Sequence, residues 1–326
     1  MSWLTDLIGV NISAKLQELQ AIGGNTTVIN IVNLINRNSF YLFVTTKTAE
    51  TLEHILFACL VYIVVCLGLY KLLFLVTFNG DNVNRLPRLI KSIKLPSSCS
   101  MKRVLFVTSH PDDECMFFGP LIYTLTQRDV QVHILCLSNG NYENKSHLRR
   151  QELWSSCAYL GIPSSNIMLL NATHLPDDPY VEWQTESVAK YILNMVESLD
   201  IDAVITYDRD GVSQHPNHSA VYYATASLCL AHLLPKNCKF FTLDSVNTLR
   251  KYISILDLIC TCFMSTNWCI LSWRQAAIIR SAMKEHKSQM KWFRWLYIYF
   301  SRYMFINSFR EVNLSDVELE MQIHDH

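Results

Sequence analysis

The sequence carries no excess of charge of either sign. Its 28 lysine and arginine residues balance 28 aspartate and glutamate residues, so the formal net charge is zero. A protein that binds bulk nucleic acid usually needs a basic surface, and this composition does not provide one. We therefore expect no nucleic-acid partner. Charged residues make up only 17% of the chain and hydrophobic residues 50%, a balance that favours association with a membrane.

The sequence also contains no CxxC pair, although it has eleven cysteines. The number is odd, and several cysteines lie inside apolar runs, namely Cys59, Cys66, Cys136 and Cys229. A disulfide framework or a zinc finger needs regular spacing, so we interpret these residues as reduced thiols in a cytosolic domain. A basic region followed by an early apolar block is missing too, so we expect no signal peptide.

One long apolar stretch, residues 52–78, is the clearest bulk feature of the chain. No charged residue occurs from Ile55 to Tyr70, and Lys71 lies late enough in the stretch to reach a membrane interface. The stretch is long enough to cross a hydrocarbon core of about 30 Å, so we predict one transmembrane helix. The alternative is a buried core helix, which rarely runs so far without a charge.

Basic residues follow this stretch more often than they precede it, which sets the expected orientation. Residues 79–102 read as a basic juxtamembrane linker that suits an anionic leaflet, so the C-terminal part should face the cytosol. The segment 1–51 would then be luminal, with one short helix near residues 16–22. Two glycosylation sequons begin at Asn11 and Asn25, although such triplets also arise by chance.

From residue 103 to about 250 the pattern alternates between strands and helices. Buried strands are predicted at 103–109, 131–137, 167–170 and 202–207. Helices are predicted near 115–128, 146–160 and 183–198, and from Ser219 onward. This alternation is typical of an α/β domain with a doubly wound, mostly parallel, Rossmann-like sheet. One N-terminal transmembrane helix and a C-terminal helical, membrane-proximal region complete the expected fold.

Residues 251–310 have a less regular pattern, which we interpret as a helical region lying against the domain or the membrane. Within it, 252–273 is apolar but interrupted by Asp257 and Asn267. We favour a helix or a re-entrant segment against the membrane for this stretch, and the alternative is a second membrane span.

The rest of the C-terminal region contains three different patterns. Residues 274–290 are expected to form an exposed helix. The stretch 292–305 mixes aromatic residues with arginine, which favours either a membrane interface or an aromatic core stripe. The tail 311–326 is acidic, and we expect it to be loose.

Two polar clusters follow two of the predicted strands. His110-Pro-Asp-Asp-Glu114 comes after the first strand, and a cluster from Asp208 to His218 comes after the strand at 202–207. The carboxyl ends of parallel strands meet at one sheet edge, so the two clusters can converge. One imidazole and three carboxylates within five residues need a positive partner. A divalent metal is the simplest candidate.

His110, Asp113 and His218 are the expected metal ligands. Three protein ligands that leave a fourth position open are typical of a catalytic zinc site. The metal would lower the pKa of a water in that position, and Asp112 beside it can take the proton. His215 would face the developing oxyanion or give a proton to a leaving amine. Phosphoryl transfer is disfavoured, because the sequence has no Gly-rich phosphate cradle.

Each cluster also has a purely structural interpretation. A single His-Pro-Asp sequence can form a turn whose carboxylates cap the next helix, but two such clusters after separate strands weaken this interpretation. Asp208 and Asp210 are interpreted as turn formers. Arg149 and Arg150 lie early in a helix that can face the same sheet edge, so Arg149 either holds a phosphate or is a solvated helix charge.

With these motifs the sequence resembles the LmbE-like metal-dependent de-N-acetylases. The resemblance rests on His110-Pro-Asp-Asp-Glu114 and a late His-Pro-x-His, and it covers roughly residues 103–310. It is closer still to those members that act on N-acetylglucosaminyl-phosphatidylinositol in GPI-anchor synthesis. The first motif is moderately specific, and the whole set is highly specific. Supporting stretches are Ser138-Asn-Gly-Asn-Tyr142, Leu160-Gly-Ile-Pro163, Pro176-Asp-Asp-Pro179 and Gly211-Val-Ser213.

The resemblance implies roles for individual residues. It assigns the metal ligands to His110, Asp113 and His218, the general base to Asp112, and the histidine that faces the oxyanion to His215. These are the residues that the motif analysis selects.

Two further positions follow from the same resemblance. It implies that Arg149, three residues before Glu152, contacts the substrate. Many family members carry an aspartate where this chain has Asn217. Both flanking histidines are kept, so we expect an intact metal site, while the role of that aspartate stays open.

The resemblance implies a hydrolase that removes acetate from the glucosamine of N-acetylglucosaminyl-phosphatidylinositol. A single span would anchor it in the endoplasmic reticulum membrane, with the catalytic domain in the cytosol. The implied cofactor is a divalent metal, zinc before other first-row ions. The implied partners are the glycolipid and the membrane, and no obligate protein partner is inferred. Two alternatives stay open: a de-N-acetylase of a soluble amino sugar, and a non-catalytic membrane scaffold.

Overall fold

The computed structural model describes residues 26–77, 93–94 and 101–318 of the chain. The chain divides into two compact units, residues 1–65 and 66–326. The helix expected near residues 16–22, the asparagines of both sequons, most of the linker 79–102 and the tail from 319 onward lie outside the described residues.

The first described element is a 52-residue helix, α1 (Thr26–Thr77). Its segment Tyr41–Leu69 is long and apolar enough to cross a membrane, and the most apolar 18-residue window of that segment has a mean hydropathy of 2.3. This confirms the expected apolar helix, but the helix begins well before residue 52. No Gly or Pro interrupts residues 26–51, and threonine hydroxyls in this segment donate to carbonyls three or four residues earlier. With no Gly or Pro to break it, the helix continues through these polar residues.

In the described residues, eight strands form one mixed sheet with the order β1-β7-β8-β6-β5-β2-β3-β4. The strands are β1 (Ile93–Lys94), β2 (Arg103–Thr108), β3 (Gln131–Cys136), β4 (Ile167–Leu169), β5 (Ala203–Tyr207), β6 (Lys239–Leu243), β7 (Asn267–Ile270) and β8 (Ile306–Glu311). The pairings from β4 through β3, β2 and β5 to β6 are parallel. The pairings of β6 with β8, β8 with β7 and β7 with β1 are antiparallel. The predicted mostly parallel, doubly wound sheet is confirmed.

The central strands β2 and β5 place the functional loops. Every residue from Val104 to Thr108 is buried, and so is every residue of β5. Such continuous burial is typical of parallel strands covered on both faces. The two strands pair directly, with Val104 opposite Ala203. Their carboxyl ends therefore lie side by side, and the loops that follow them start next to each other.

Helices connect most of these strands. After α1 they are α2 (Asp113–Met116), α3 (Gly119–Thr126), α4 (Ser146–Tyr159), α5 (Thr185–Leu199), α6 (Gly211–Gln214), α7 (Pro216–Leu230), α8 (Thr248–Tyr252), α9 (Asp257–Met264), α10 (Trp273–Glu285) and α11 (Trp292–Phe300). The helix predicted at 115–128 is divided into α2 and α3, and Pro120 stands in the first turn of α3, where its missing N–H costs nothing. Helix α4 ends before Gly161, whose φ of +82° confirms the predicted helix stop.

The C-terminal region contains two strands that the sequence pattern did not reveal. Strand β7 falls inside the stretch 252–273, which we expected against or across the membrane. That expectation is wrong for residues 267–270, because they lie in the sheet. Strand β8 lies between β6 and β7 and pairs with both. The description of 251–310 as helical is therefore incomplete, since its strands gain their partners from distant parts of the chain.

Helix α10 corrects a second expectation, because it is not an exposed helix. It buries Ala276, Ile279, Ala282 and Met283. These side chains recur at helical spacing along one face, which packs against α4 and α3. The surrounding charged residues concealed this stripe in the sequence.

A buried ion-pair network fixes the C-terminal region to the domain. The fully buried carboxylate of Asp257 lies 2.6 Å from Arg250 Nε and 3.0 Å from Arg302 Nε. Arg302 Nη2 also donates a 3.1 Å hydrogen bond to Ser308 Oγ on β8. Asp257, which interrupts an apolar run in the sequence, thus joins α8, α9 and β8.

The aromatic stretch 292–305 divides into two parts with different surroundings. Residues 302–305 are buried in the core, which matches the aromatic core stripe. Helix α11 instead exposes much of its aromatic surface, and Trp292 is 76% exposed. The aromatic core stripe therefore describes residues 302–305, and a membrane interface at α11 stays a prediction.

Candidate metal centre and active site

The first loop of the site follows β2 and is organised by the Asp113 carboxylate. Asp113 Oδ2 accepts hydrogen bonds from the backbone N–H of Ser109 at 3.1 Å and of His110 at 2.7 Å. These bonds close a tight turn directly after the strand and hold the carboxylate beside the His110 ring. Both side chains are buried.

The second loop follows β5 and presents His218. His218 Nδ1 lies 2.9 Å from the carbonyl oxygen of Gly211, so Nδ1 carries the proton that this bond requires. The opposite nitrogen, Nε2, is then the one that can bind a metal. Gly211 has a φ of +60°, and a Cβ at this position would lie 2.8 Å from the His218 Cβ. The Tyr207 ring stacks on the imidazole with centroids 4.2 Å apart.

The two loops converge, and the three predicted ligands come together. His110 Nδ1 lies 3.7 Å from Asp113 Oδ2, and His218 Nε2 lies 3.5 Å from Asp113 Oδ1. One ligand atom from each of the three residues lies within 4.8 Å of the others. The sequence analysis thus selected residues that the fold places around one point.

The electrostatics of this triad suit a cation. Burial lowers the pKa of His218 to about 4 and that of His110 well below its usual value, so both imidazoles are neutral. Burial and the neighbouring Asp112 raise the pKa of Asp113 to about 7. The site therefore offers two neutral imidazole nitrogens and one carboxyl group. Burial alone disfavours the anionic form of that carboxyl group, and a nearby positive charge favours it. A divalent cation can bind this set of donors.

Asp112 lies beside the triad in a strained conformation. Its φ is +127°, in the region that non-glycine residues rarely adopt. Its Oδ2 lies 2.9 Å from Arg294 Nη2, and its Oδ1 lies 3.7 Å from Arg149 Nη2. Burial raises the pKa of this carboxyl group, but the two guanidinium groups outweigh burial and the pKa is lowered. Asp112 is therefore a buried carboxylate that stays ionised.

His215 stands at the start of α7 and lines the same cavity. Its Nδ1 accepts a 3.2 Å hydrogen bond from the backbone N–H of Asn217, which caps the helix. The neutral ring then carries its proton on Nε2 and can donate from that atom. Burial and His218 lower the pKa of His215, which favours this neutral form. Its ring centroid is 4.8 Å from that of His110.

Arg149 is placed in the site, but its guanidinium already binds protein atoms. Nη2 donates to the Pro111 carbonyl at 2.7 Å, and Nη1 donates to Asp177 Oδ2 at 2.8 Å and to the Gly140 carbonyl at 3.2 Å. These bonds hold the loop that carries Asp112. Substrate contact by Arg149 stays a prediction. Its companion in the motif, Glu152, accepts hydrogen bonds from the N–H and hydroxyl of Ser288 instead.

Asp177 orients the His110 ring. Asp177 Oδ1 lies 3.1 Å from His110 Nε2 and can accept its proton, and Asn217 Nδ2 lies at the same distance from that nitrogen. The ring therefore directs its other nitrogen, Nδ1, toward Asp113. Such outer contacts fix the orientation of a metal-binding imidazole. Asn217, which departs from the motif, contacts the ring through an N–H group that cannot hydrogen-bond a protonated Nε2. Asp177, the partner that can, lies in a stretch that we interpreted only as a turn.

A second buried pair lies behind the loop and supports Asp112. Glu114 Oε2 accepts the backbone N–H of Asp112 at 3.0 Å, while Glu114 Oε1 lies 2.7 Å from His286 Nε2 and accepts the Ser156 hydroxyl at 2.5 Å. Glu114 and His286 are fully buried. Burial opposes the charged form of His286, but Glu114 outweighs it and raises the pKa. The pair therefore holds the peptide that carries the strained φ.

Arg294 and His286 are functional-site residues that the sequence analysis missed. Arg294 comes from the aromatic helix α11, and His286 follows α10, so both reach the site from more than 170 residues away in sequence. The one available signal was an arginine inside an aromatic stretch, which we interpreted as either a membrane interface or an aromatic core stripe. Nothing local marks His286.

These residues surround a cavity with a volume of about 470 Å³, within the roughly 300–1,000 Å³ typical of small-molecule sites. His110, Asp113 and His218 lie at one part of its wall together with Asp112 and His215. Tyr142, Tyr252 and Phe293 line the wall elsewhere. The cavity thus combines a polar reaction centre with aromatic surfaces, on which a sugar ring can stack.

The chain was compared with known proteins. A family model described as GlcNAc-PI de-N-acetylase matches residues 105–229. The chain is 47% identical over 207 residues to N-acetylglucosaminyl-phosphatidylinositol de-N-acetylase from Bos taurus, covering 63% of this chain and 82% of that protein. It is 40% identical over 213 residues to a probable N-acetylglucosaminyl-phosphatidylinositol de-N-acetylase from Schizosaccharomyces pombe, covering 63% and 85%. The solved structure of N,N'-diacetylchitobiose deacetylase from Pyrococcus horikoshii aligns with a TM-score of 0.49 and 17% identity, covering 65% of this chain and 84% of that chain.

We expect the Glu114–His286 pair to be a buried ion pair. His286→Ala leaves the Glu114 carboxylate buried without its partner, so the free energy of unfolding should fall by about 3–5 kcal/mol. Adding Glu114→Gln removes the unpaired charge and should recover part of the loss. Chemical denaturation of the detergent-solubilised chain measures both variants.

Lys239→Ala is the control for this measurement, because it breaks a partly exposed pair with Glu311 and should cost less than about 1 kcal/mol. A His286→Ala loss as small as that of the control would contradict a buried ion pair.

Proposed function

The chain belongs to the GlcNAc-PI de-N-acetylase (PIG-L) family, and from this premise we propose that it hydrolyses the acetamide of N-acetylglucosaminyl-phosphatidylinositol. The products are acetate and glucosaminyl-phosphatidylinositol, an intermediate of GPI-anchor synthesis. The observation that carries the proposal is the convergence of His110, Asp113 and His218 beside the ionised Asp112. This arrangement supports amide hydrolysis, which needs an activated water, a base and a stabilised oxyanion.

His110, Asp113 and His218 would hold a divalent metal, and we propose zinc. Two imidazole nitrogens and one carboxylate oxygen form a donor set that zinc accepts. When bound there, the metal supplies Lewis acidity toward the acetamide carbonyl and lowers the pKa of water. Other first-row ions accept the same donors, so metal analysis of the purified chain decides the identity.

Asp112 acts as the general base in this proposal. Arg294 and Arg149 keep it ionised, so it is ready to accept the proton of the attacking water. Its strained backbone, held by Glu114, fixes the position of the carboxylate before the substrate arrives. A fixed position reduces the entropy lost on reaching the transition state.

His215 stabilises the oxyanion in this proposal. The Asn217 backbone N–H occupies its Nδ1, so Nε2 is the nitrogen that donates from the neutral ring. As the carbon–nitrogen bond breaks, Asp112 can pass the proton that it took from the water to the leaving amine, so His215 keeps its single ring proton and stays a neutral donor.

We further propose that the chain is a single-pass protein of the endoplasmic reticulum membrane with its catalytic unit in the cytosol. The apolar segment Tyr41–Leu69 supports the span. The basic residues between 79 and 103 support the orientation, because cytoplasmic flanks carry an excess of lysine and arginine. The residues before the span would then be luminal.

Acetate release tests the proposal directly. The purified chain should release acetate from N-acetylglucosaminyl-phosphatidylinositol, lose this activity after dialysis against a chelator, and regain it when zinc is added. Asp113→Ala should bind no metal and show no restoration. Release from free N-acetylglucosamine at an equal rate would contradict the glycolipid assignment, and full activity without metal would contradict the site.

Asp112→Asn tests the base. An amide cannot accept the proton, so kcat should fall by about 10²–10⁴-fold. The metal content, measured by inductively coupled plasma mass spectrometry, should equal that of the unsubstituted chain, because Asp112 is not a ligand. Normal turnover in this variant would show that another group is the base.

His215→Ala tests the oxyanion donor. Loss of one such donor should lower kcat by about 10²–10³-fold with little change in KM. His215→Gln, which retains an N–H donor, should keep part of the rate. Equal rates for His215→Ala and the unsubstituted chain in steady-state kinetics would remove His215 from the mechanism.

A further inference from the structure

Helix α11 exposes an apolar stripe to solvent. Trp292, Trp295, Leu296 and Tyr299 recur at spacings of three and four, so they lie along one side of the helix. Their exposed fractions are 76%, 43%, 49% and 53%. We call these four side chains the aromatic stripe. A helix of a globular domain normally turns such a stripe toward the core, so its outward direction indicates a partner.

Other side chains of α11 belong to the active site. Phe293, Arg294 and Tyr297 line the cavity. Arg294 pairs with Asp112, and the Tyr297 hydroxyl donates a 2.8 Å hydrogen bond to the Met116 carbonyl. One nine-residue helix therefore carries both the aromatic stripe and part of the cavity wall. Whatever covers the stripe lies next to the cavity.

The composition around the stripe is typical of a membrane–water interface. Tryptophan and tyrosine prefer that interface, because one part of each ring is apolar and another part is polar. Lys284 Nζ lies 5.6 Å from the centre of the Trp295 ring. Lys287 is exposed nearby in the chain, whereas Lys291, which is also exposed, already pairs with Glu143 at 2.6 Å. Lys284 and Lys287 suit the phosphate groups of an anionic leaflet.

A second copy of the chain fits the stripe less well than a bilayer does. A helix of nine residues is about 14 Å long. Four side chains on it provide much less area than the ~800 Å² per partner that a stable protein interface buries. A bilayer is also within reach of the chain, because Tyr41–Leu69 is long and apolar enough to span one.

We propose that the aromatic stripe docks on the bilayer surface that presents the glycolipid, so that the cavity opens toward the lipid headgroups. This inference rests on the proposed function, since a glycolipid keeps its acyl chains in the bilayer while its sugar enters the cavity. The spanning segment keeps the chain in the membrane, and the stripe orients the site toward the substrate.

The experiment compares one reaction in two physical states of the substrate. The unsubstituted full chain and a triple variant are reconstituted into vesicles of phosphatidylcholine and phosphatidylserine. In the triple variant, Trp292, Leu296 and Tyr299 are all changed to Ser. The KM for N-acetylglucosaminyl-phosphatidylinositol in the vesicles should rise about tenfold, because the site no longer sits at the surface. The rate on the deacylated, water-soluble form of the same substrate should change less than about twofold.

Tyr159→Ser is the matched control. Tyr159 is 50% exposed and is the last residue of α4. Arg149, near the start of that helix, lines the cavity, and Tyr159 does not. It should leave both rates unchanged. Equal losses of the triple variant on both substrates, or a change in its oligomeric state on size exclusion, would overturn the proposal in favour of a structural role or a second copy. No loss on either substrate would overturn it as well.

A binding measurement keeps the proposal separate from the proposed function. If the unsubstituted chain acts on neither substrate, the proposed function fails, and docking is then read from fluorescence. Brominated phosphatidylcholine should quench the tryptophan emission of the unsubstituted chain more than that of Trp292→Phe. Equal quenching of the two chains would overturn docking through the stripe.

Discussion

The site depends on the Asp113 carboxylate and on how the chain holds it. Two backbone N–H groups fix one of its oxygens, and the two imidazoles of His110 and His218 face the group from different loops. Direct parallel pairing of β2 with β5 brings those loops to the same sheet edge. A slip of either strand would move one imidazole away and separate the donor set. The buried core of the sheet therefore determines the geometry of the metal site.

The reactive carboxylate beside this site needs support from distant parts of the chain. The φ of +127° at Asp112 costs of the order of 1–3 kcal/mol and persists only where the surroundings fix it. Glu114, held by His286 and Ser156, binds the peptide N–H, while Arg294 and Arg149 bind the carboxylate. The C-terminal region thus supplies residues to the site, although its sequence predicted only that it lies against the domain or the membrane.

The sequence predicted the parts of the fold that follow from local pattern. Continuous apolar runs identified β2, β3, β4 and β5, and the rule that parallel strands share a carboxyl edge brought His110, Asp113 and His218 together. The same reasoning could not find β8, because its position between β6 and β7 depends on pairing with distant strands.

Arg294 and His286 were missed for a related reason. Their partners are far away in sequence, and an arginine among aromatic residues has the same pattern at a membrane surface and in a core. Helix α1 began earlier than expected, because residues 26–51 contain no Gly or Pro that would end it. The positions of Arg294 and His286 depend on contacts that periodicity does not encode.

The central claim is that two distant loops hold one divalent cation with two imidazoles and one carboxylate. The described residues contain two competing donor sets: Glu114 with Cys115 and His286, which includes sulfur, and His110 with Asp177 and His215, which offers two imidazoles and one carboxylate. X-ray absorption spectroscopy of the zinc-loaded chain separates the sulfur-containing set, and the same measurement on His215→Ala separates the other, because only that set would lose an imidazole. We predict a first shell of nitrogen and oxygen with the multiple-scattering signature of two imidazoles. A sulfur ligand, or a shell with no imidazole signature, would contradict the account.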